Sequence, residues 1–280
     1  MKITDKIFPQ ERALYGQKGL TLYNCKFQGE EDGESALKEC ENVEMHDCYM
    51  DLRYPLWHVK KATLENITMT PNCRAALWYS NFININDSKL HGIKALRECN
   101  YININDTDIN SMEFGWKSSN IEIINSNITG EYAFFESSNI KIDNINFNGK
   151  YSFQYVKNLN INNSVLKTKD AFWHAENVLV QDSVLEGEYL AWYSKKVTLI
   201  NCHIKGTQPF CYCEKLQLID CTMEDTDFSF ECSDVQASIE GEILSVKNPR
   251  KGHIVADKIK EIIIENSVYP VKAKIEERNK

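Results

Sequence analysis

The sequence predicts an all-β fold, a single-stranded parallel β-helix solenoid of about eleven coils of 19 residues with capped ends. Three observations predict it. Segments such as NIEIINSNI, NLNINNSVL and NVLVQDSVL recur every 19 residues from Tyr101 to about Met223. Each repeat has Asn or Asp at one fixed position, directly before a small residue in nine of eleven: Asn24, Asp47, Asn66, Asp87, Asp106, Asn125, Asn144, Asn163, Asp182, Asn201 and Asp220. Alternate positions on both sides are apolar, as in Ile121 and Ile123 before the bend and Ile128 after it. Short repeats of fixed period cannot bury an apolar face alone and stack to do so.

Residues 1–18 precede the frame and are expected to cap an edge that a solenoid leaves unpaired. From Gly19 each coil should place two short strands around the Asn/Asp corner. These residues tolerate a left-handed backbone and bond their own turn, and period-two alternation beside them means strand. A four-residue insertion near Glu30–Gly33 and a two-residue insertion after Thr70 keep the early coils in frame. A third strand is expected after each polar turn, in RYPLWH, EYAFFE, KYSFQY, KDAFWH, EYLAWY and TQPFCY. After Asp234 the register ends, and residues 234–280 read as longer irregular strands, a Pro/Gly loop, a cap and a loose charged tail. The organisation is one domain: 1–18 cap, 19–233 coils, 234–280 terminal coils and tail.

The 280 residues carry 32 basic and 40 acidic side chains, a net charge of −8. That balance argues against gripping nucleic acid through its phosphates. No apolar run reaches the roughly 20 residues that span a bilayer, so no membrane partner is expected. The start, MKITDKIFPQERALYG, lacks the apolar region of a signal peptide, and a cytoplasmic location is expected. The ten cysteines show one close pair, Cys211 and Cys213, and no C-x-x-C spacing. They read as small buried hydrophobes rather than disulfides or metal ligands. Cys25, Cys48, Cys202 and Cys221 fall in the small central ladder; Cys40, Cys99, Cys213 and Cys232 fall in another at the end of the third strand. No phosphate loop, zinc motif, nucleophile elbow or dinucleotide fingerprint is present, so no cofactor and no metal are expected.

All five tryptophans occupy one position of the third strand: Trp57, Trp78, Trp116, Trp173 and Trp192. Arg97, Phe135, Gln154, Cys211 and Phe230 share that ladder. The next residue forms a second ladder with His58, Tyr79, Glu98, Lys117, Glu136, Tyr155, His174, Tyr193, Tyr212 and Glu231. The preceding one is mostly apolar, from Leu56 and Leu77 through Phe153 and Phe172 to Ser229. Two registers are open. With the Leu/Phe ladder inward the tryptophans face out; with the tryptophans inward Arg97 and Gln154 are buried. An unpaired buried charge is costly, which favours the first. Either leaves a row of aromatics on the surface, and such a row calls for an explanation.

Stacked rings stabilise a sheet by themselves, but Arg97, Glu98, Lys117, Glu136, Gln154, Tyr155, Asp170 and His174 add polar groups that packing does not require. Aromatic faces stack on sugars, so Trp57, Trp78, Trp116, Gln154, Tyr155, Trp173, Trp192 and Tyr193 are the candidate substrate-binding residues. Glu98, Glu136, Asp170, His174, Arg97 and Lys117 are the candidate acid/base and charge-stabilising groups. Glu98 and Glu136, two coils apart, have backbones about 9.6 Å from one another, near the upper range for an inverting glycosidase pair. Asp170 and His174 are too far apart on an extended strand to touch. The alternative is a non-catalytic scaffold whose aromatic row takes a protein partner or second subunit.

On RYPLWH at Arg53–His58, AALWYS at Ala75–Ser80, GKYSFQY at Gly149–Tyr155, DAFWH at Asp170–His174, GTQPFCYC at Gly206–Cys213 and SVKNP at Ser245–Pro249, nearly the whole chain resembles a bacterial family known as domain of unknown function 3737. The resemblance implies a right-handed β-helix of the pectin-lyase type and favours an oligosaccharide or sugar derivative as ligand. It implies no catalytic residues.

Overall fold

The computed structural model describes residues 1–29 and 34–278; the insertion at Glu30–Gly33 lies outside the described residues. Two compact units, Met1–Lys141 and Ile142–Lys280, are each a parallel β-solenoid, with no helix among the described residues.

In the first unit a long strand and a short one alternate: Lys18–Tyr23 with Lys26–Gln28, Glu41–His46 with Tyr49–Asp51, Lys60–Glu65 with Thr68–Met69, and onward to Ser119–Ile124. Like pairs with like in parallel register, so Leu20, Val43, Ala62, Ile83, Ile102 and Ile121 form one inward column. All six are buried. Residues 1–18 are more than the expected cap. Lys2–Thr4 pairs with Thr21–Tyr23 and Ile7–Phe8 with Lys26–Phe27, and Asp5 takes the corner with φ 55°. The chain starts with a further coil, and its Asp5 continues the Asn/Asp ladder.

The second unit repeats the scheme through Lys157–Asn162, Glu176–Gln181, Lys195–Ile200 and Leu216–Glu224, with Leu159, Val178 and Val197 in one column. Past the last Asn/Asp corner, Asp234–Ile243, Lys251–Ile259 and Lys274–Glu277 go on pairing in parallel, with irregular register. The eleven repeats are thus extended at both ends. The tail is also more ordered than expected: Lys274–Glu277 is a paired strand, and Arg278 bonds the Asp257 carboxylate at 2.7 Å and the Ser238 hydroxyl at 2.8 Å.

The corners follow the sequence closely. All eleven Asn/Asp residues have φ between 48° and 54°. In nine of the eleven coils the next residue is Ser, Thr or Cys, and in several its side chain accepts a buried backbone N–H of the preceding coil. Ser88 Oγ takes Ile67 N at 2.9 Å, Ser183 Oγ takes Ser164 N at 3.0 Å, and Cys48 Sγ takes Cys25 N at 3.4 Å. A buried donor left unpaired costs about 1–3 kcal/mol, so this ladder is a structural requirement.

The third side departs from expectation. RYPLWH and its equivalents are successive turns rather than strands, with φ of 60°, 59° and 55° at Tyr54, Leu56 and His58. Left-handed residues at every second position reset the side-chain direction, so Pro55 and Leu56 both point inward and the next two outward. Leu56 N bonds back to Ala36 O at 2.9 Å, whereas Tyr54 N and His58 N bond forward to Arg74 O and Trp78 O at 3.0 and 2.9 Å. Left-handed non-glycine residues cost about 1–2 kcal/mol each, and these inter-coil bonds hold them there. One register slips. An extra residue between Glu224 and Asp227 pairs Phe230 with Phe210, their rings stacked at 6.0 Å, and Ser233 with Cys213. Phe230 therefore joins the inward Leu/Phe ladder, and Ser233 replaces Cys232 in the small ladder.

Candidate functional site

On this turn face the Leu/Phe ladder is inward: Leu56, Leu77, Leu96, Phe134, Phe153, Phe172 and Phe210 are all buried. The tryptophans stand outside it, half-buried, which is the register that spares Arg97 from burial without a partner. Their polar atoms serve the fold. Trp78 Nε1 donates to Lys94 O, Trp173 Nε1 to Tyr189 O at 2.8 Å and Trp192 Nε1 to Gln208 O at 2.8 Å. Trp57 and Trp116 bond Ala75 O and Tyr132 O in the same way, and Gln154 Nε2 reaches Asp170 O at 3.2 Å. Each acceptor is the first left-handed residue of the following coil, whose carbonyl points outward and needs a donor.

The ring faces are engaged as well. In the first unit Trp57 stacks on Trp78 at 5.2 Å and 6°, with Lys38 Nζ 5.5 Å over Trp57. The Arg97 guanidinium fills the next place, 5.0 Å from Trp78 and 5.7 Å from Trp116. Trp116 meets Phe135 at 5.2 Å. In the second unit Trp173 stacks on Trp192 at 5.5 Å and 5°. Arg97 is thus a planar cation completing an aromatic stack, worth about 0.5–2 kcal/mol per contact. A sugar stacking on these rings would first have to separate them.

The outer ladder differs between units. In the first, His58 and Tyr79 are followed by Glu98, Lys117 and Glu136. Lys117 Nζ lies 3.5 Å from Glu136, and Arg97 Nε 3.6 Å from Glu98. Both carboxylates are therefore ion-paired, with Lys117 in the coil between them, so the two predicted acid/base groups are not brought together. In the second unit the outer row is aromatic: Tyr155 on His174 at 4.8 Å, His174 on Tyr193 at 5.2 Å, Tyr193 on Tyr212 at 4.7 Å, all within about 11° of parallel. The polar ends of His174, Tyr193 and Tyr212 have no hydrogen-bond partner among the described residues. Tyr193 is 42% exposed. Burial and the nearby Glu231 carboxylate push the Tyr212 hydroxyl's pKa up.

Asp170 and His174 do not meet. Asp170 is buried at the base of the turn face, 7% exposed, with no ion pair to its carboxylate among the described residues; burial raises its pKa, against Lys169. Among the described residues no group of three or more His, Cys, Asp or Glu converges on a metal-sized site, and all ten cysteines are buried and free.

One pair escaped the sequence reading. The long strands from Lys18–Tyr23 to Lys195–Ile200 each have a left-handed residue near their start: Gly19, Asn42, Lys61, Asn120, Asn139, Asn158, Asn177 and Lys196, but Phe82 and Tyr101 in two coils. Their φ values are 61° and 58°, rare for bulky side chains. Their rings stack at 4.9 Å and 4°. Aromatic residues where eight sibling strands carry Gly, Asn or Lys are the signal that could have found them.

The fold and this face define a parallel β-solenoid whose turn side is locked by stacked indoles. A family model matches residues 1–276, and the chain belongs to that family, described as protein of unknown function DUF3737. No curated protein matches the sequence. Among solved structures it is similar to the mannuronan C-5 epimerase A-module of Azotobacter vinelandii, with 8% identity and TM-score 0.31 over 98% of this chain and 89% of that one. It is also similar to a periplasmic alginate epimerase, with 9% identity and TM-score 0.33 over 92% and 77%. A third is the tailspike protein of E. coli bacteriophage HK620, solved in complex with a hexasaccharide, with 6% identity and TM-score 0.30 over 98% and 58%.

Proposed function

We propose that the protein is a non-catalytic carbohydrate-binding solenoid whose binding surface is the outer His/Tyr row of the second unit rather than the tryptophan row behind it. One observation carries the reading: in three consecutive coils His174, Tyr193 and Tyr212 present polar ends that the protein leaves unpartnered, on rings held parallel by stacking. A rigid row of hydroxyl and imidazole groups repeating once per coil suits an extended ligand rich in hydroxyls, and preorganised aromatic side chains lose little entropy on binding. A binding role also agrees with Glu98 and Glu136, each neutralised by its own cation instead of flanking a bond to be cleaved.

The test is titration of the whole protein with a panel of neutral oligosaccharides followed by ligand-observed NMR, repeated with Tyr193→Ala and Tyr212→Ala. At least one oligosaccharide should bind, and each substitution should weaken it about tenfold, some 1.4 kcal/mol. If no oligosaccharide binds and light scattering finds a dimer that Tyr193→Ala dissociates, the row is a subunit interface and the carbohydrate reading fails.

A further inference from the structure

The Phe82/Tyr101 pair lies on the sheet formed by the long strands of the first unit. It borders a concavity of about 400 Å³ that is also lined by Asn42, Lys61, Asn84 and Asn103. Some aromatic residues in left-handed positions elsewhere in the protein pack on an indole: Tyr54 lies against Trp57 at 5.2 Å and Tyr189 against Trp192 at 5.5 Å. Among the described residues Phe82 and Tyr101 stack only on each other, and they remain 48% and 49% exposed. The fold therefore holds two bulky rings in an unfavourable conformation and leaves them in water. Strain kept without a packing return points to function.

Asn42, Lys61, Phe82 and Tyr101 are successive members of one column, so the concavity opens against the face of Phe82 that Tyr101 does not cover. Beside the rings, Asn103 Nδ2 donates to Asn84 Oδ1 at 2.9 Å. That bond orients both amides and leaves the Asn84 amide N–H groups and the Asn103 carbonyl open, a donor and an acceptor one coil apart. Glu41, at the rim, is held by Lys18 at 3.1 Å and Lys60 at 3.9 Å. Lys61 has no ion-pair partner among the described residues. The lining thus offers an apolar ring face, an oriented donor and acceptor, and one unpaired cation.

We propose that Phe82 and Tyr101, with Lys61, Asn84 and Asn103, form a binding site for an acidic sugar. The apolar C–H face of the sugar packs on Phe82, its hydroxyls bond the Asn84 and Asn103 amides, and its carboxylate pairs with Lys61. A nucleic acid would also stack on the ring, but a single free cation on a chain of net charge −8 suits one carboxylate better than a run of phosphates. The site is separate from the outer row of the second unit and does not rest on it.

The experiment titrates the whole protein with glucuronate by calorimetry and ligand-observed NMR, using glucose and adenosine monophosphate as controls. Glucuronate should bind more tightly than either control, and less tightly as salt rises. Phe82→Asn installs the residue that sibling coils use there; it should weaken glucuronate at least tenfold while the Tm stays equal or rises. Lys61→Gln should reduce glucuronate to the level of glucose. Undetectable glucuronate binding by the wild type would overturn the proposal. So would affinity unchanged in Phe82→Asn, glucose binding as tightly as glucuronate, or adenosine monophosphate binding more tightly than both.

Discussion

Trp173 and Tyr189 are joined by a hydrogen bond of 2.8 Å from the indole N–H to the main-chain carbonyl one coil further on. The same bond recurs at the other four tryptophans, and Gln154 makes it with an amide. The indole is there for its donor as much as for its ring, because a carbonyl aimed outward by a left-handed residue has no strand partner. Trp173→Phe keeps an aromatic ring against Trp192 but removes the donor. We expect it to lower the unfolding free energy by about 1–2 kcal/mol at unchanged m-value in urea. Unchanged stability would mean that water serves the carbonyl and that the indole is free to meet a ligand.

The cysteines give a second prediction. Seven of the ten stand in ladders shared with Ser, and Cys99 Sγ donates to Leu77 O at 2.8 Å while its N–H donates to Ser118 Oγ at 3.0 Å. Burial pushes the Cys99 thiol up to about 12 and Cys213 to about 11, so neither forms the reactive thiolate near neutral pH. A thiol-reactive disulfide reagent should label the native protein only as fast as it unfolds, and should label all ten cysteines at once in denaturant. Cys99→Ser should cost less than about 1 kcal/mol, since serine fills the same ladder in neighbouring coils. Rapid labelling of native Cys99 would show that the turn face opens locally.

How much of this was legible in the sequence depends on which side of the coil is asked about. The Asn/Asp corner was readable at eleven coils, though not at Asp5, because a single backbone demand, positive φ, selects few residue types. The inward columns were readable because strands alternate strictly. The turn face was not readable as turns: Tyr54, Leu56 and His58 are poor left-handed residues by themselves, and only inter-coil hydrogen bonds keep them so. Sequence sees local preference and not that cooperative constraint. Even so, the inward Leu/Phe ladder could be chosen correctly from the cost of burying Arg97. The side-chain partners were beyond reach, since whether Glu98 faces Glu136 or its own neighbour Arg97 depends on rotamers that no repeat encodes. Phe82 and Tyr101 were visible as an exception to their column only once that column was known to be left-handed.

Asp170 supplies the pH prediction. Its carboxyl is buried on the turn face, and burial raises its pKa above the ordinary 3.8, with Lys169 opposing and Glu188 adding to the rise. Lys169 is drawn away by Glu188, 2.9 Å from its ammonium. An acid whose pKa rises on folding holds its proton more tightly in the native state than in the unfolded chain. The ionised form therefore costs stability at neutral pH, and that stability returns as pH falls through the raised value toward the ordinary one. Asp170→Asn removes the charge and keeps the shape. It should be the more stable protein in urea at about pH 7, with the advantage shrinking at about pH 4 as the wild-type carboxyl takes up its proton. A variant less stable than wild type at neutral pH would show instead that the Asp170 carboxylate makes a favourable contact in the folded protein, and would return it to the list of groups worth testing for chemistry.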